Sequence, residues 1–173
     1  LSVTILSDTH GYLDPMVAAL VRETDIVLHA GDIMAAEVLD ALQPGMGRVI
    51  AVRGNNDVES VWGRQNQSAL ENIPDVAVIR CAGGIVAMEH GHRLATIDHD
   101  HYPLAYRYPD ARLVVYGHTH RLRLDDEKRP WLLNPGAAGV VRNGGGPSCC
   151  RLDIEGNQWR IEMKHFLESR KAG

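Results

Sequence analysis

The stretch VVYGHTHRL, residues 114–122, joins a short apolar run to a glycine and then to His118 and His120. A similar pair of polar residues separated by one position occurs in SDTHG, residues 7–11, and in HGH, residues 90–92. Each of these stretches comes directly after an apolar run that is typical of a buried strand. Aspartate and histidine at the ends of buried strands predict a site at one edge of a β-sheet.

Strands and helices alternate in the first half of the sequence. Apolar runs at residues 2–7, 25–30 and 48–53 predict three strands. The pair Asp14-Pro15 predicts the start of a helix after the first strand, because aspartate can cap a helix and proline suits its first position. Strand, loop and helix repeated in this order are typical of a parallel sheet.

The second half is richer in strands. Strands are predicted at residues 76–80, 85–89, 112–116, 122–124, 131–134, 148–154 and 158–165. A short helix is predicted over residues 98–108. This mixture predicts an α/β fold in which two sheets pack face to face with helices outside, as one domain over residues 1–173.

Five of the predicted strands are followed by a glycine and by side chains that can bind metals. Glycine allows the chain to leave a strand in a tight turn. The crevice beyond the carboxyl ends of strands is where α/β sheets bind ligands, so we expect these side chains to lie together. The candidate ligands are Asp8, His10, Asp32, Asn55, His90, His118 and His120.

The chemistry of these side chains limits the ions that they can hold. Carboxylate, imidazole and amide oxygen, without thiolate, suit manganese, iron, cobalt, nickel or zinc. Seven ligands are too many for one ion and suit two divalent ions that share a carboxylate. Two such ions about 3.5–4 Å apart can clamp both the attacking and the leaving oxygen of a phosphoryl transfer. The sequence therefore favours a phosphate ester as the substrate.

Composition and charge restrict the partners. The chain has 173 residues and a formal net charge of −4, and its basic residues are scattered, so we do not expect nucleic acid to bind. The sequence contains no run of 18 apolar residues, so we expect no membrane span. Its first residues resemble a strand rather than a leader. Three cysteines make a poor disulfide framework, so we expect a cytoplasmic protein.

Six short motifs together resemble the calcineurin-like metallophosphoesterases. They are SDTHG, GDI, GNND, HGH, GHTH and NPG, at residues 7–11, 31–33, 54–57, 90–92, 117–120 and 134–136. The chain is most similar to the small bacterial and archaeal phosphodiesterases of that superfamily, from residue 2 to about residue 165. The resemblance implies a four-layer α/β/β/α sandwich of two mixed sheets, with a dinuclear metal site at the carboxyl ends of the strands.

The resemblance also implies how the ligands divide. One metal would be held by Asp8, His10 and His120, the other by Asn55, His90 and His118, with Asp32 as the bridge. A hydroxide between the two metals would attack phosphorus in line, which implies a metal-dependent phosphodiesterase acting on a small phosphodiester. We expect two divalent transition metal ions, with manganese foremost, and a homo-oligomer.

Two positions depart from the wider superfamily. Many members carry a histidine, taken as the acid that protonates the leaving group, where this chain has Asn56. The small subfamily also lacks that histidine. Ala137 stands where a serine is common. We expect Asp32, Asn55 and His92 to act in catalysis, although the sequence leaves open whether His92 contacts substrate, supplies the missing proton or is structural.

Other interpretations use the same residues. A phosphomonoesterase or a small nuclease would share the dinuclear site, and a non-catalytic interaction scaffold of the same fold is the alternative outside the enzymes. Among the remaining polar residues, we expect His29 to support a ligand and Asp57 to stabilise its turn. His99 and His101, on the helix predicted over residues 98–108, are expected to face solvent or, loosely, the substrate.

Overall fold

The computed structural model describes residues 1–140 and 147–166. The strands are β1 Ser2–Leu6, β2 Ile26–His29, β3 Arg48–Ala51, β4 Val76–Cys81, β5 Gly84–Glu89, β6 Leu113–Val115, β7 Leu122–Asp125, β8 Trp131–Pro135, β9 Ser148–Glu155 and β10 Gln158–His165. The α-helices are α1 Pro15–Arg22, α2 Ala36–Ala41, α3 Glu59–Trp62, α4 Gln67–Glu71 and α5 Pro103–Arg107. In the part of the chain that these elements cover, no helix is long and apolar enough to cross a membrane.

The strands form two mixed sheets of five. The first has the order β10-β9-β1-β2-β3, in which β1, β2 and β3 are parallel and β9 runs antiparallel to β1. The second has the order β4-β5-β6-β8-β7, in which β5, β6 and β8 are parallel. The parallel strands bring the chain out at the same edge of each sheet, where the loops that follow β1, β2, β5 and β6 meet.

Apolar side chains divide the molecule into layers. Successive strand residues point to opposite faces of a sheet. On β1, Val3 and Ile5 therefore join the core between the two sheets, whereas Leu6 packs with Val17 and Val21 of α1 on the outer face. Leu104 of α5 joins the core on the outer face of the second sheet. The predicted α/β/β/α sandwich is confirmed.

The predicted helix over residues 98–108 is wrong in extent, since only α5 is helical there. Thr96 Oγ1 donates to the carbonyl oxygen of Asp100 at 2.9 Å, and the Asp100 carboxylate accepts from the backbone of Tyr102 at 2.9 Å. Such local side-chain bonds compete with the helical pattern and favour turns.

The same turn reverses the prediction for one of its two histidines. His99 is exposed as expected, but His101 is fully buried. Its Nδ1 lies 2.7 Å from the hydroxyl of Tyr116, and its Nε2 lies 3.7 Å from the carboxylate of Asp125. The irregular backbone of the turn directs this side chain inward, where the expected helix would have kept it in solvent.

A buried arginine fastens the two sheets at the end opposite to the loops. Arg112, just before β6, donates from Nη1 to the carbonyl oxygens of Gly83 at 3.1 Å and Asn157 at 2.8 Å. Its guanidinium also lies over the rings of Trp131 and Trp159, 5.2 and 4.6 Å from their centroids. Because these partners belong to different sheets, one side chain links the β4–β5 turn to the β9–β10 turn.

Candidate metal centre

The predicted ligands lie on loops with strained backbone. Six non-glycine residues of the described chain have φ in the left-handed region: Asp8 at 55°, His10 at 49°, Asp32 at 55°, Met34 at 66°, His118 at 70° and His120 at 57°. All but Met34 are predicted ligands. Such conformations cost on the order of 1–3 kcal/mol each and persist where the surrounding structure enforces them, often at functional sites.

One group of candidate ligands contains Asp8, His10 and His120. The Nε2 atoms of the two imidazoles are 3.0 Å apart. The Nε2 of His120 lies 3.3 Å from Asp8 Oδ1, and that of His10 lies 3.9 Å from the same oxygen. Two nitrogens and one carboxylate oxygen therefore converge from two loops, with a spacing that a single cation can bridge.

A second group contains Asp8, Asp32 and His90. The Nε2 of His90 lies 3.5 Å from Asp32 Oδ1 and 4.0 Å from Asp8 Oδ1. The other Asp32 oxygen, Oδ2, lies 3.9 Å from Nε2 of His10. Asp32 thus lies between the two groups, as a bridging residue should, but Asp8 also belongs to both, which the sequence did not indicate.

Asn55 and His118 lie on the more exposed side of the centre. Asn55 Oδ1 and His118 Nδ1 are 3.0 Å apart. The rings of His118 and His90 have centroids 5.3 Å apart. The structure therefore brings these two predicted ligands next to the second group without placing them inside it.

His92 lies beside the centre without contacting a carboxylate. Its ring centroid is 5.5 Å from that of His90 and 6.3 Å from that of His118. Burial and the neighbouring His90 lower the pKa of His92 below its ordinary value. Its Nδ1 is buried and has no hydrogen-bond partner among residues 1–140 and 147–166. His92 is therefore placed next to the proposed ligands, with its Nδ1 shielded from solvent.

Two buried atoms at the junction of the groups test whether this site suits metal ions. Asp8 Oδ1 and His90 Nε2 have no hydrogen-bond partner within the described chain. The Nδ1 of His90 lies 2.7 Å from the carbonyl oxygen of Ala30, which only accepts, so Nδ1 carries a proton. The Nε2 of the neutral ring then presents a lone pair beside a carboxylate oxygen. This arrangement fits a bound cation, and ligating histidines commonly hold their second nitrogen in this way.

Charge at the centre also favours a cation. Burial by itself raises the pKa of Asp32, but His90 and two hydrogen bonds from Asn56 outweigh it, so the pKa lies below its ordinary value. Burial lowers the pKa of His90, yet the carboxylates of Asp32 and Asp8 outweigh that effect and raise it. Carboxylates that attract a proton to this nitrogen favour any cation there.

Asn56 supports Asp32, a role that the sequence analysis missed. Its backbone N–H donates to Asp32 Oδ1 at 2.9 Å, and its side-chain Nδ2 donates to Oδ2 at 2.7 Å. Both carboxylate oxygens of Asp32 are thereby fixed in direction. The sequence signal was the position itself, directly after the candidate ligand Asn55, but the absent histidine drew attention away from what the asparagine does.

Asp57 and His29 act as expected, by holding the ligand loops. Asp57 accepts from the backbone N–H groups of Ile33 at 2.9 Å and Gly54 at 2.7 Å, which ties the second loop to the third. The Nε2 of His29 lies 3.0 Å from Thr9 Oγ1, between two predicted ligands. Complete burial lowers the pKa of His29 to about 4, so the ring is neutral at pH 7.

Hydrogen bonds to the other oxygen of Asp8 fix the orientation of its carboxylate. Asp8 Oδ2 accepts from Ser7 Oγ at 2.6 Å and from the backbone N–H of His118 at 3.1 Å. A Cβ at Gly117 would lie 2.0 Å from Ser7 Oγ, so only glycine leaves room for this contact. At this point in GHTH, glycine supplies space, and the ligands themselves adopt the strained φ angles.

The NPG motif holds the GHTH loop in place. Asn134 Nδ2 donates to the carbonyl oxygen of Gly117 at 2.8 Å and to Thr119 Oγ1 at 3.0 Å. Its Oδ1 accepts from the backbone of Gly136 at 2.9 Å. All its contacts are internal, so Asn134 positions His118 and His120 from behind.

Several known proteins are similar to this chain in sequence and in fold. A family model described as the calcineurin-like phosphoesterase superfamily domain matches residues 1–157. A probable metallophosphoesterase of Methanocaldococcus jannaschii is 30% identical over 145 residues, which are 81% of this chain and 69% of that protein. A phosphodiesterase of the same organism is 26% identical over 170 residues, which are 92% and 97% of the two chains. Among solved structures, wild-type Vps29 of Entamoeba histolytica, complexed with Zn²⁺, has a TM-score of 0.70 and 21% identity, covering 95% of this chain and 99% of its own. With its motifs, sandwich and family match in agreement, the chain belongs to the calcineurin-like phosphoesterase superfamily.

Proposed function

We propose that this protein is a metal-dependent phosphodiesterase that hydrolyses a small phosphodiester with two divalent transition metal ions, manganese foremost. The observation that carries the proposal is the pair of buried, unpartnered atoms, Asp8 Oδ1 and His90 Nε2, where the two ligand groups meet. Membership of a phosphoesterase superfamily supports hydrolysis of a phosphate ester. The phosphodiesterase relative supports a diester as the substrate.

The proposed division of ligands follows the two groups. Asp8, His10 and His120 would hold one ion, and Asn55, His90 and His118 the other, with Asp32 between them. The chemistry that two bound divalent ions supply at such a site is an acidified water as nucleophile and neutralisation of charge on the phosphoryl oxygens.

The chain's own contribution is to fix its acceptors before the substrate arrives. Asp8 has one oxygen held by Ser7 and His118, and Asp32 has both oxygens held by Asn56. The lowered pKa of Asp32 keeps its carboxylate ionised at neutral pH. Because these groups need little reorganisation on binding, their full charge is available to the reaction.

The proposed fate of the leaving group follows from Asn56 and His92. An amide supplies no proton at neutral pH, and Asn56 already uses its Nδ2 to hold Asp32. His92 is a nearby side chain that could hydrogen-bond an ester oxygen, since its ring lies beside those of His90 and His118. We therefore expect rates to fall steeply as the leaving alcohol becomes a poorer leaving group, which a series of substituted phenyl methyl phosphates would measure.

A direct test uses protein stripped with EDTA and then supplied with Mn²⁺, Ni²⁺ or Zn²⁺, with bis(p-nitrophenyl) phosphate as substrate. We expect activity that returns with metal, is lost in Asp32→Asn, and is kept in the surface control Asp153→Asn. Absence of metal-dependent turnover, or full activity in Asp32→Asn, would sink the proposal. Faster turnover of p-nitrophenyl phosphate or single-stranded DNA would replace the diesterase with a monoesterase or a nuclease.

Location and assembly belong to the same proposal. Cys81, Cys149 and Cys150 are all unpaired, which supports a reducing compartment such as the cytoplasm. Fractionation of cells would test the location, and light scattering of the purified protein would test the proposed homo-oligomer.

A further inference from the structure

A cavity of about 140 Å³ lies directly beside the proposed metal centre. Its lining comes from the start of β4, the loop after β5 and the end of α5. His90 belongs both to this lining and to the second ligand group. Because one side chain separates the two, a group in the cavity would be attached directly to the phosphate at the centre.

The charged side chains of the lining cancel. Arg93 Nη2 lies 2.8 Å from the carboxylate of Asp75. Arg107 Nη1 donates to both oxygens of Glu89, at 2.6 and 2.9 Å. Asp75 also lies 3.1 Å from Nη2 of Arg53, which is outside the lining. Both carboxylates of the lining are therefore already paired with guanidinium groups, so the lining offers no uncompensated carboxylate to a cation. A neutral occupant fits this balance.

The lining combines apolar surface with hydrogen-bonding groups. Arg93 and Asp75 have side chains that are 57% and 36% exposed, so each keeps donors or acceptors beyond its ion pair. Hydroxyl groups both donate and accept, so they match such a mixture better than any group that does only one.

The volume sets the size of the occupant. An apolar cavity of about 150 Å³ holds one benzene molecule. The cavity beside His92 is of similar size, so it accommodates about one six-membered ring.

We infer that this cavity binds the alcohol portion of the substrate as a neutral, hydroxylated ring, the size of one monosaccharide or cyclic polyol. This inference rests on the proposed diesterase and specifies its substrate class. Asp75, Arg93 and Arg107 contact the hydroxyl groups, while Val76 limits the space for the ring.

The test compares three p-nitrophenyl phosphodiesters whose second substituent is methyl, cyclohexyl or myo-inositol. All three release the same chromophore, and the two rings differ only in their hydroxyl groups. We expect kcat/KM for the inositol ester to exceed both others by about tenfold or more, because an unhydroxylated ring leaves the polar lining unpaired. Equal rates for the three, or a preference for cyclohexyl, would overturn the inference.

Two variants that introduce tryptophan on β4 test whether the preference for the inositol ester arises in the cavity. Val76→Trp fills the cavity, and the preference for inositol over methyl should fall towards one. Val78→Trp is the matched control, since Val78 is the next outward-facing residue of the strand, is 59% exposed and does not line the cavity. A preference that survives Val76→Trp, or that disappears equally in Val78→Trp, contradicts the inference.

A measurement of binding, independent of turnover, tests this inference separately from the proposed function. If none of the three esters is turned over, the proposed diesterase fails, but calorimetry with inositol methyl phosphate and dimethyl phosphate still probes the cavity. Tighter binding of the inositol compound, lost in Val76→Trp and kept in Val78→Trp, supports the cavity assignment. Equal affinity for the two compounds overturns it.

Discussion

The two ends of the strands use buried polar groups differently. At the amino end of β6, Arg112 is 9% exposed, donates from Nη1 to two carbonyl oxygens and lies over two tryptophan rings, although its Nε has no hydrogen-bond partner within the described chain. At the carboxyl ends, Asp8 and His90 are as deeply buried, yet each keeps an atom without a partner inside the described chain. One end uses a buried charge to join the sheets, and the other holds charge ready for a ligand.

This difference indicates that the amino ends of the strands contribute stability to the fold, whereas the carboxyl ends reduce it. A buried charge that is paired and hydrogen-bonded can contribute to stability, whereas an unpaired one destabilises. The carboxyl ends also hold all the left-handed φ angles of the described non-glycine residues. We therefore expect substitutions at the two ends to separate activity from stability, and the following experiments would break or sharpen that contrast.

The largest expected effect is on activity, in Asp8→Asn. The asparagine keeps an oxygen for Ser7 and His118 but loses the charge shared by both ligand groups. We expect kcat/KM to fall by about 1000-fold, or roughly 4 kcal/mol of transition-state stabilisation. The metal-free variant should unfold at the same or a higher urea concentration than the wild type, because an uncompensated buried charge is gone.

A clear loss of stability in metal-free Asp8→Asn would break the comparison, since it would show that this carboxylate also supports the fold. The surface variant Asp153→Asn serves as the control for both measurements, because Asp153 is partly exposed and pairs with Arg151 away from the loops.

The reverse is expected for Arg112→Met at the amino ends. The variant keeps a long apolar side chain but loses two charge-assisted hydrogen bonds and two cation–π contacts, so the free energy of unfolding should fall by about 3 kcal/mol. Below the unfolding transition, metal affinity and kcat should match the wild type. Arg80→Met, at an exposed position of β4, controls for loss of charge alone. Loss of activity in folded Arg112→Met would refute the separation.

Asn56→Ala sharpens the contrast within the metal centre. It removes one of the two hydrogen bonds that fix Asp32, without removing a proposed ligand. Supports of this kind typically change metal affinity by about 10–100-fold, and we expect the lower part of that range because the backbone bond remains. Calorimetric titration with Mn²⁺ would measure it, with Asn72→Ala on the surface as control. Unchanged affinity would mean that Asp32 is held by the fold alone.

The carboxyl ends could be predicted from the sequence because their information is local. Each strand, glycine and ligand lies within a few consecutive residues, as in SDTHG or GHTH, and parallel strands deliver such loops to one edge. The meeting of the seven candidate ligands at one edge follows from that rule, whereas the four-layer sandwich was implied by the resemblance to the metallophosphoesterases. Asp8's membership of both groups does not, because it depends on side-chain directions of a few ångströms.

The contacts at the amino ends could not be predicted because the residues that form them are far apart in the sequence. Arg112 is 29 residues from Gly83 and 45 from Asn157, and nothing near it in the sequence indicates either partner. The prediction for His101 was wrong for a related reason. This side chain is buried against Tyr116, which directly follows β6, and that contact overrides the local helical pattern. Local motifs revealed the proposed function, and distant contacts decide the stability.

His101 is the intermediate case, and it gives the smallest expected effect. Its Nδ1 contacts Tyr116, like the satisfied groups of the amino ends, whereas its Nε2 has no hydrogen-bond partner among the described residues. Burial and the nearby Arg123 lower the pKa of His101 below its ordinary value of 6.5, although Asp125 and Asp100 oppose them. The folded state thus resists a proton that the unfolded chain accepts below pH 6.5, so the stability present above that pH declines as the pH falls towards the folded-state pKa.

Urea unfolding of metal-free protein between pH 7.5 and pH 5 would measure this loss of stability. The free energy of unfolding should decline less steeply with falling pH in His101→Gln than in the exposed control His99→Gln. If the two variants follow the same curve, the Asp125 carboxylate neutralises the charge of the buried ring, and His101 belongs with Arg112 among the satisfied groups.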